Sequence, residues 1–147
     1  MALDRYAQLT DIVPVGDLDA SGDALKHCVK LVPAGRRFRL DHAYLSAEAA
    51  VSDADTDYNT FFLRDQDGNE LARLENGPEA TGTDLTQAPV EFGLGTGAAW
   101  AQGSYDSQYV VLGNDSTAEY LYLAQEKTGN GLAVAGAKVH TIGRWTQ

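Results

Sequence analysis

Residues 43–74 read AYLSAEAAVSDADTDYNTFFLRDQDGNELARL, and this stretch decides the class of the fold. It divides into an apolar strand, a turn-rich connection and two strands joined by a tight hairpin. Segments 57–64 (DYNTFFLR) and 70–74 (ELARL) flank 65–69 (DQDGN). Asp67-Gly68 is a strong hairpin signal, because the return turn needs positive φ and glycine accepts it at no steric cost. Along 57–64, Tyr58, Thr60 and Phe62 take one face and Asn59, Phe61 and Leu63 the other. Both faces are apolar near the middle. That predicts a strand covered on both sides, by a second sheet and by an arm or another subunit.

Working outward, further strand signals lie at 28–32, 37–47, 108–112, 118–124 and 138–142, with a short one at 90–94. Turns punctuate them at Pro33-Ala-Gly35, Gly113-Asn-Asp-Ser116 and Thr128-Gly-Asn-Gly131. Within 37–47, Phe38, Leu40 and Tyr44 share one parity, whereas Ala43, Leu45 and Ala47 share the other. This predicts a long strand that buries different faces at its two ends as it bends across a sandwich. About eight strands at short intervals, with fifteen glycines and no long helical periodicity, give an all-β chain: a β-sandwich or jelly roll of antiparallel strands. At 147 residues it is one domain by length and can bury about two-thirds of its unfolded surface. Residues 1–25 break every periodic pattern with Pro14, Gly16, Gly22 and the acids Asp11, Asp17, Asp19 and Asp23. They are read as an extended amino-terminal arm lying on the domain of residues 26–147 or on a neighbour.

Charge narrows the partners. Twenty-one acidic against 11 basic residues give a net charge of −10, which opposes nucleic acid as a general partner because phosphates must be neutralised by Lys and Arg. The distribution is uneven. Residues 26–40 carry Lys26, Lys30, Arg36, Arg37 and Arg39 with no acid, whereas 41–91 carry twelve acids against Arg64 and Arg73. The amino terminus has early acids and no continuous apolar run, so neither a secretory signal nor a membrane span is expected. The single cysteine, Cys28, cannot form an internal disulfide and is expected to be buried or incidental, in a chain made in a reducing cytoplasm.

No segment reads as an active site. Asp53, Asp55 and Asp57 open like a calcium loop, but Tyr58 stands where that loop needs glycine and no bidentate glutamate follows, so a capped or solvated turn is expected. Gly93, Gly95 and Gly97 lack the third-glycine spacing and the helix of a dinucleotide loop. His27, His42 and His140 have no ligand at metal spacing, and the serines lack a nucleophile-elbow pattern. No metal, cofactor or enzymatic activity is therefore expected. Two sets of residues suggest contact surfaces instead. Leu3, Tyr6, Leu9, Ile12 and Val13 of the arm, together with Arg36, Arg37 and Arg39, suit contacts to other protein surfaces. Trp100 and Tyr105, with nearby tyrosines, suit a sugar-stacking platform.

The chain from Arg37 onward resembles the small β-sandwich proteins that tailed bacteriophages place on the outside of their heads, the decoration, cement or head-fibre-like proteins. The resemblance lies in the apolar strand, Asp/Thr-rich turn and aromatic strand of 43–64, the hairpin of 65–74 capped by Asn76-Gly77, and the Lys-Thr-Gly-x-Gly-Leu turn of 127–132 leading into 137–142. It covers about two-thirds of the chain and leaves out residues 1–25. It implies a structural virion protein on the outer capsid surface, made in the host cytoplasm. Such a protein binds the major capsid protein where its subunits meet, often as a trimer, and clamps them against genome pressure. The alternative is a carbohydrate- or receptor-binding sandwich module.

Overall fold

The computed structural model describes residues 7–19, 26–48, 57–75, 89–94, 109–131 and 133–146. These form ten strands: β1 (Leu9–Leu18), β2 (Lys26–Val32), β3 (Phe38–Ser46), β4 (Tyr58–Arg64), β5 (Glu70–Glu75), β6 (Val90–Glu91), β7 (Gly93–Leu94), β8 (Val110–Leu112), β9 (Glu119–Thr128) and β10 (Val134–Trp145). The first sheet runs β1-β10-β3-β6, with β8 also paired to β3. The second runs β2-β9-β4-β5-β7. Every pairing is antiparallel. The fold is an all-β sandwich, as the sequence predicts.

Alternation builds the core. β10 turns Ala137, Val139 and Thr141 inward, and its neighbour β3 adds Phe38, Leu40, Ala43 and Leu45, all buried. Opposite them lie Phe61 and Leu63 of β4, Leu121 and Leu123 of β9, and Ala72 and Leu74 of β5. Each large side chain removed from water contributes about 1.5–3 kcal/mol, so this shared face is the main source of stability. The parity switch along β3 has a different cause from the one predicted. In the β3–β10 ladder Ile142 pairs with His42 and Gly143 with Leu40, leaving Asp41 as an extra residue. This β-bulge restores the phase, so both ends of β3 bury the same face.

The 65–69 turn forms as read. Gly68 has φ +86°, its N–H donates to Asp65 O at 3.1 Å, and the Asp65 carboxylate accepts the Asp67 and Asn69 amides, each at 2.9 Å. Short strand 90–94 is two strands in different sheets. Phe92, buried between them, donates its N–H to Ala43 O at 2.8 Å where the chain crosses the sandwich. The strand β4 is covered on both faces, as predicted, but the cover on its outer face comes from its own sheet. Phe62 lies beneath the guanidinium groups of Arg64 and Arg73, at 4.2 and 5.1 Å from the ring centroid.

The segment read as an arm requires a correction. Leu9–Leu18 is a strand of the first sheet, paired with β10 along its length, and Leu18 is fully buried. Its end is fastened: the Gln125 side chain donates to Asp19 O at 2.8 Å, and Gly136 N–H donates to the Asp17 carboxylate at 2.9 Å. The sandwich therefore includes β1, and a domain boundary after residue 25 has no counterpart in the sheet. Pairing was hidden because ladder irregularities at Pro14/Gly16 and Gly16/Leu18 break the alternation.

Candidate interaction surface

Among the described residues β1 is an edge strand, hydrogen-bonded to β10 on one side only. Ile12 pairs with His140 on the outward face and is 56% exposed, while Leu9 is 40% exposed at the margin between the sheets. Val13, predicted with them as a contact residue, turns inward opposite Val139 and packs half-buried against the core. Leu3 and Tyr6 lie outside the described residues, as do Trp100 and Tyr105 of the alternative platform and residues 53–56 of the Asp-rich turn. Asp57 is described, and its carboxylate accepts the Asn130 amide at 2.7 Å, a capping role.

Between Leu9 and Val13 the only charge is Asp11, and it is neutralised from the other sheet. Lys30 of β2 reaches across with its side chain 11% exposed, placing Nζ 2.6 Å from Asp11 Oδ2 and 4.0 Å from the Phe38 ring centroid. The basic stretch is likewise occupied within the chain. Arg36 sits 4.3 Å over the Trp145 ring, Arg37 binds Asp115 at 2.9 Å, and Arg39 Nε lies 2.7 Å from Asp41 Oδ1 with its guanidinium over Tyr109. Arg144 approaches the same Asp41 at 3.5 Å. The three arginines grouped by sequence thus hold the carboxyl-terminal strand and the β8 region, and they do not form one free basic patch.

Sequence reading missed the polar row on the outer face of the first sheet. His140 is opposite Ile12 on β1 and Tyr44 on β3, and its Nε2 is 2.8 Å from Ser46 Oγ. His42 stacks on Tyr44 and places Nδ1 2.7 Å from Glu91 Oε1. The signal was present in each histidine's opposite parity to its buried neighbours, but only the register brings two strands 94 residues apart together. Among the described residues no group of three His, Cys, Asp or Glu side chains is placed to hold a metal ion. Cys28 is exposed rather than buried, with Sγ 3.6 Å from Lys30 O. The outer face of the second sheet carries a smaller apolar corner, formed by exposed Leu31 beside Tyr120, which stacks on Tyr122 with centroids 6.0 Å apart.

Burial, and secondarily the charge of Lys138, holds His140 below the ordinary histidine value of 6.5. Protonation therefore favours the unfolded chain. The contribution is fully present above the unfolded value and is lost as pH falls through the lowered native one. Replacing His140 with glutamine is expected to reduce the drop in melting temperature seen between about pH 7.5 and about pH 5. Thermal unfolding followed by circular dichroism checks this, with Tyr44, Ser46 and Lys138 left in place around the site.

Comparison with family models, curated proteins and solved structures returns no match. The functional reading therefore rests on the surface itself.

Proposed function

We propose that this chain is a structural protein of a phage particle, without catalytic activity, which decorates the outer capsid surface and clamps adjacent subunits of the major capsid protein. The observation that carries the proposal is β1: an edge strand with Leu9 and Ile12 exposed and the Asp11 carboxylate between them neutralised by Lys30, on a chain of net charge −10. An exposed apolar edge suits protein contact, and the acidic remainder suits a particle surface that must stay dispersed. Strand order supports a jelly-roll reading. β1-β10-β3-β6 opposes β2-β9-β4-β5, an arrangement used by viral capsid and lectin domains. Fold alone does not choose between those two uses. The stacked Tyr120–Tyr122 pair beside Leu31 is the feature that favours the second, carbohydrate-binding reading.

Co-sedimentation with phage heads lacking the protein, set beside retention on immobilised glycans, separates the readings. Wild type is expected to saturate the heads and raise the temperature at which they release DNA. Ile12→Asp is expected to bind about tenfold more weakly, the equivalent of one lost apolar contact of about 1.4 kcal/mol. Failure to bind heads, with elution from glycans by free sugar, would overturn the capsid reading in favour of the alternative.

A further inference from the structure

We infer that the first half of β1 pairs with the same segment of a second copy of this chain, antiparallel across a two-fold axis at Ile12. The inference rests on the reading of β1 as a contact strand and names its partner. An unpaired sheet edge is a template for another strand. The second half of β1 is closed to such pairing, because the irregularities around Gly16 break the repeat and Leu18 enters the core. From Leu9 to Val13 the register with β10 is unbroken. Across most approaches two copies of a −10 chain repel. Along these five residues the repulsion is weakest, since Asp11 is already bound to Lys30.

The sequence then selects the register. An axis at Ile12 sets Ile12 opposite Ile12 of the partner subunit and Asp11 opposite Val13 of the partner subunit, and the ladder stops short of the irregularity that follows Pro14. Exposed Ile12 gains an apolar neighbour, and no carboxylate faces another. An axis at Asp11 would oppose two like charges, which is destabilising. One at Val13 would draw the Gly16 irregularity into the pairing. Thr10 meets Pro14 of the partner subunit in the preferred register. Proline on an edge strand places its missing donor toward solvent, so the new ladder lacks one bond at each end and keeps those at Ile12. A contact across a two-fold axis uses the same edge in both copies, so it closes as a dimer instead of a trimer. So short a ladder gives a small interface and a concentration-dependent dimer. Attachment to a particle would reinforce it through multivalency.

Sedimentation equilibrium of the purified protein, without heads, tests the inference. Wild type is expected to pass from monomer to dimer as concentration rises, Ile12→Lys to remain monomeric with the same circular dichroism spectrum, and Leu31→Lys on the other sheet to dimerise as wild type does. Hydrogen exchange of wild type supplies a reading independent of any variant's folding: the Ile12 amide is expected to gain protection with concentration. A monomer at all concentrations, a trimer, a dimer that persists in Ile12→Lys, or an Ile12 amide indifferent to concentration would each overturn the pairing. These outcomes are read without particles, so failure of the pairing is distinguishable from failure of head binding, which is measured with particles present.

Discussion

Replacing Phe61 with alanine is expected to destabilise the sandwich by about 3–5 kcal/mol, measured as a lower midpoint in urea unfolding. Phe61 is fully buried at the middle of β4, flanked across the ladders by Leu74 and Gln125 and facing the first sheet's apolar side. The loss combines the transfer energy of the ring with the cavity left in a close-packed interior, which strands fixed on both sides cannot collapse to fill. Its sequence neighbour provides an internal comparison. Phe62 is also buried, but under the flexible side chains of Arg64 and Arg73, which Glu126 and Glu70 hold at 2.6 and 2.9 Å. Those stems can settle into the vacated space, so Phe62→Ala is expected to cost clearly less. Equal losses at the two positions would show that the two faces of β4 are equally rigid.

Gly143→Ala is expected to cost about 3 kcal/mol, at the upper end for adding one methyl group. A β-carbon at this position would run into the carbonyl oxygen of Arg39 and lie 2.6 Å from Phe38 Cζ. Neither neighbour can give way easily. Arg39 belongs to the strand paired with β10 beside the Asp41 bulge, and the buried Phe38 ring is held edge-on against Trp145 with centroids 5.1 Å apart. Thermal unfolding of Gly143→Ala, alone and combined with Phe38→Leu, checks the cause. The double variant is expected to recover the part of the loss due to the ring but not the part due to the backbone oxygen. Complete recovery would assign the whole strain to Phe38.

Most strands were legible because their alternation is strong and local. The 57–74 hairpin was the clearest, since Gly68 and Asp65 satisfy the turn without help from elsewhere. β1 was not legible as a strand. Pro14, Gly16 and the aspartates resemble loop composition, and its alternation is broken where the ladder shifts. Among the described strands only β4 and β5 are sequential neighbours within one sheet; each other connection changes sheet. Such contacts depend on distant pairings that no local pattern encodes. The candidate surface was legible in part for the same reason. Apolar Leu9 and Ile12 could be picked out by composition, but their exposure, the inward turn of Val13 and the occupation of all three arginines depend on residues far along the chain.

By itself, then, the sequence determined an all-β chain, its hairpin, the positions of most strands and a strongly acidic surface, because backbone alternation and turn chemistry are set by adjacent residues. Only the tertiary structure decided that the amino-terminal segment belongs to the sheet, that the parity switch in β3 is a bulge, and that Lys30 crosses between the sheets to neutralise Asp11. Those outcomes depend on which strands become neighbours. That choice is made by burying one shared apolar face, and no window of the chain contains both sides of it.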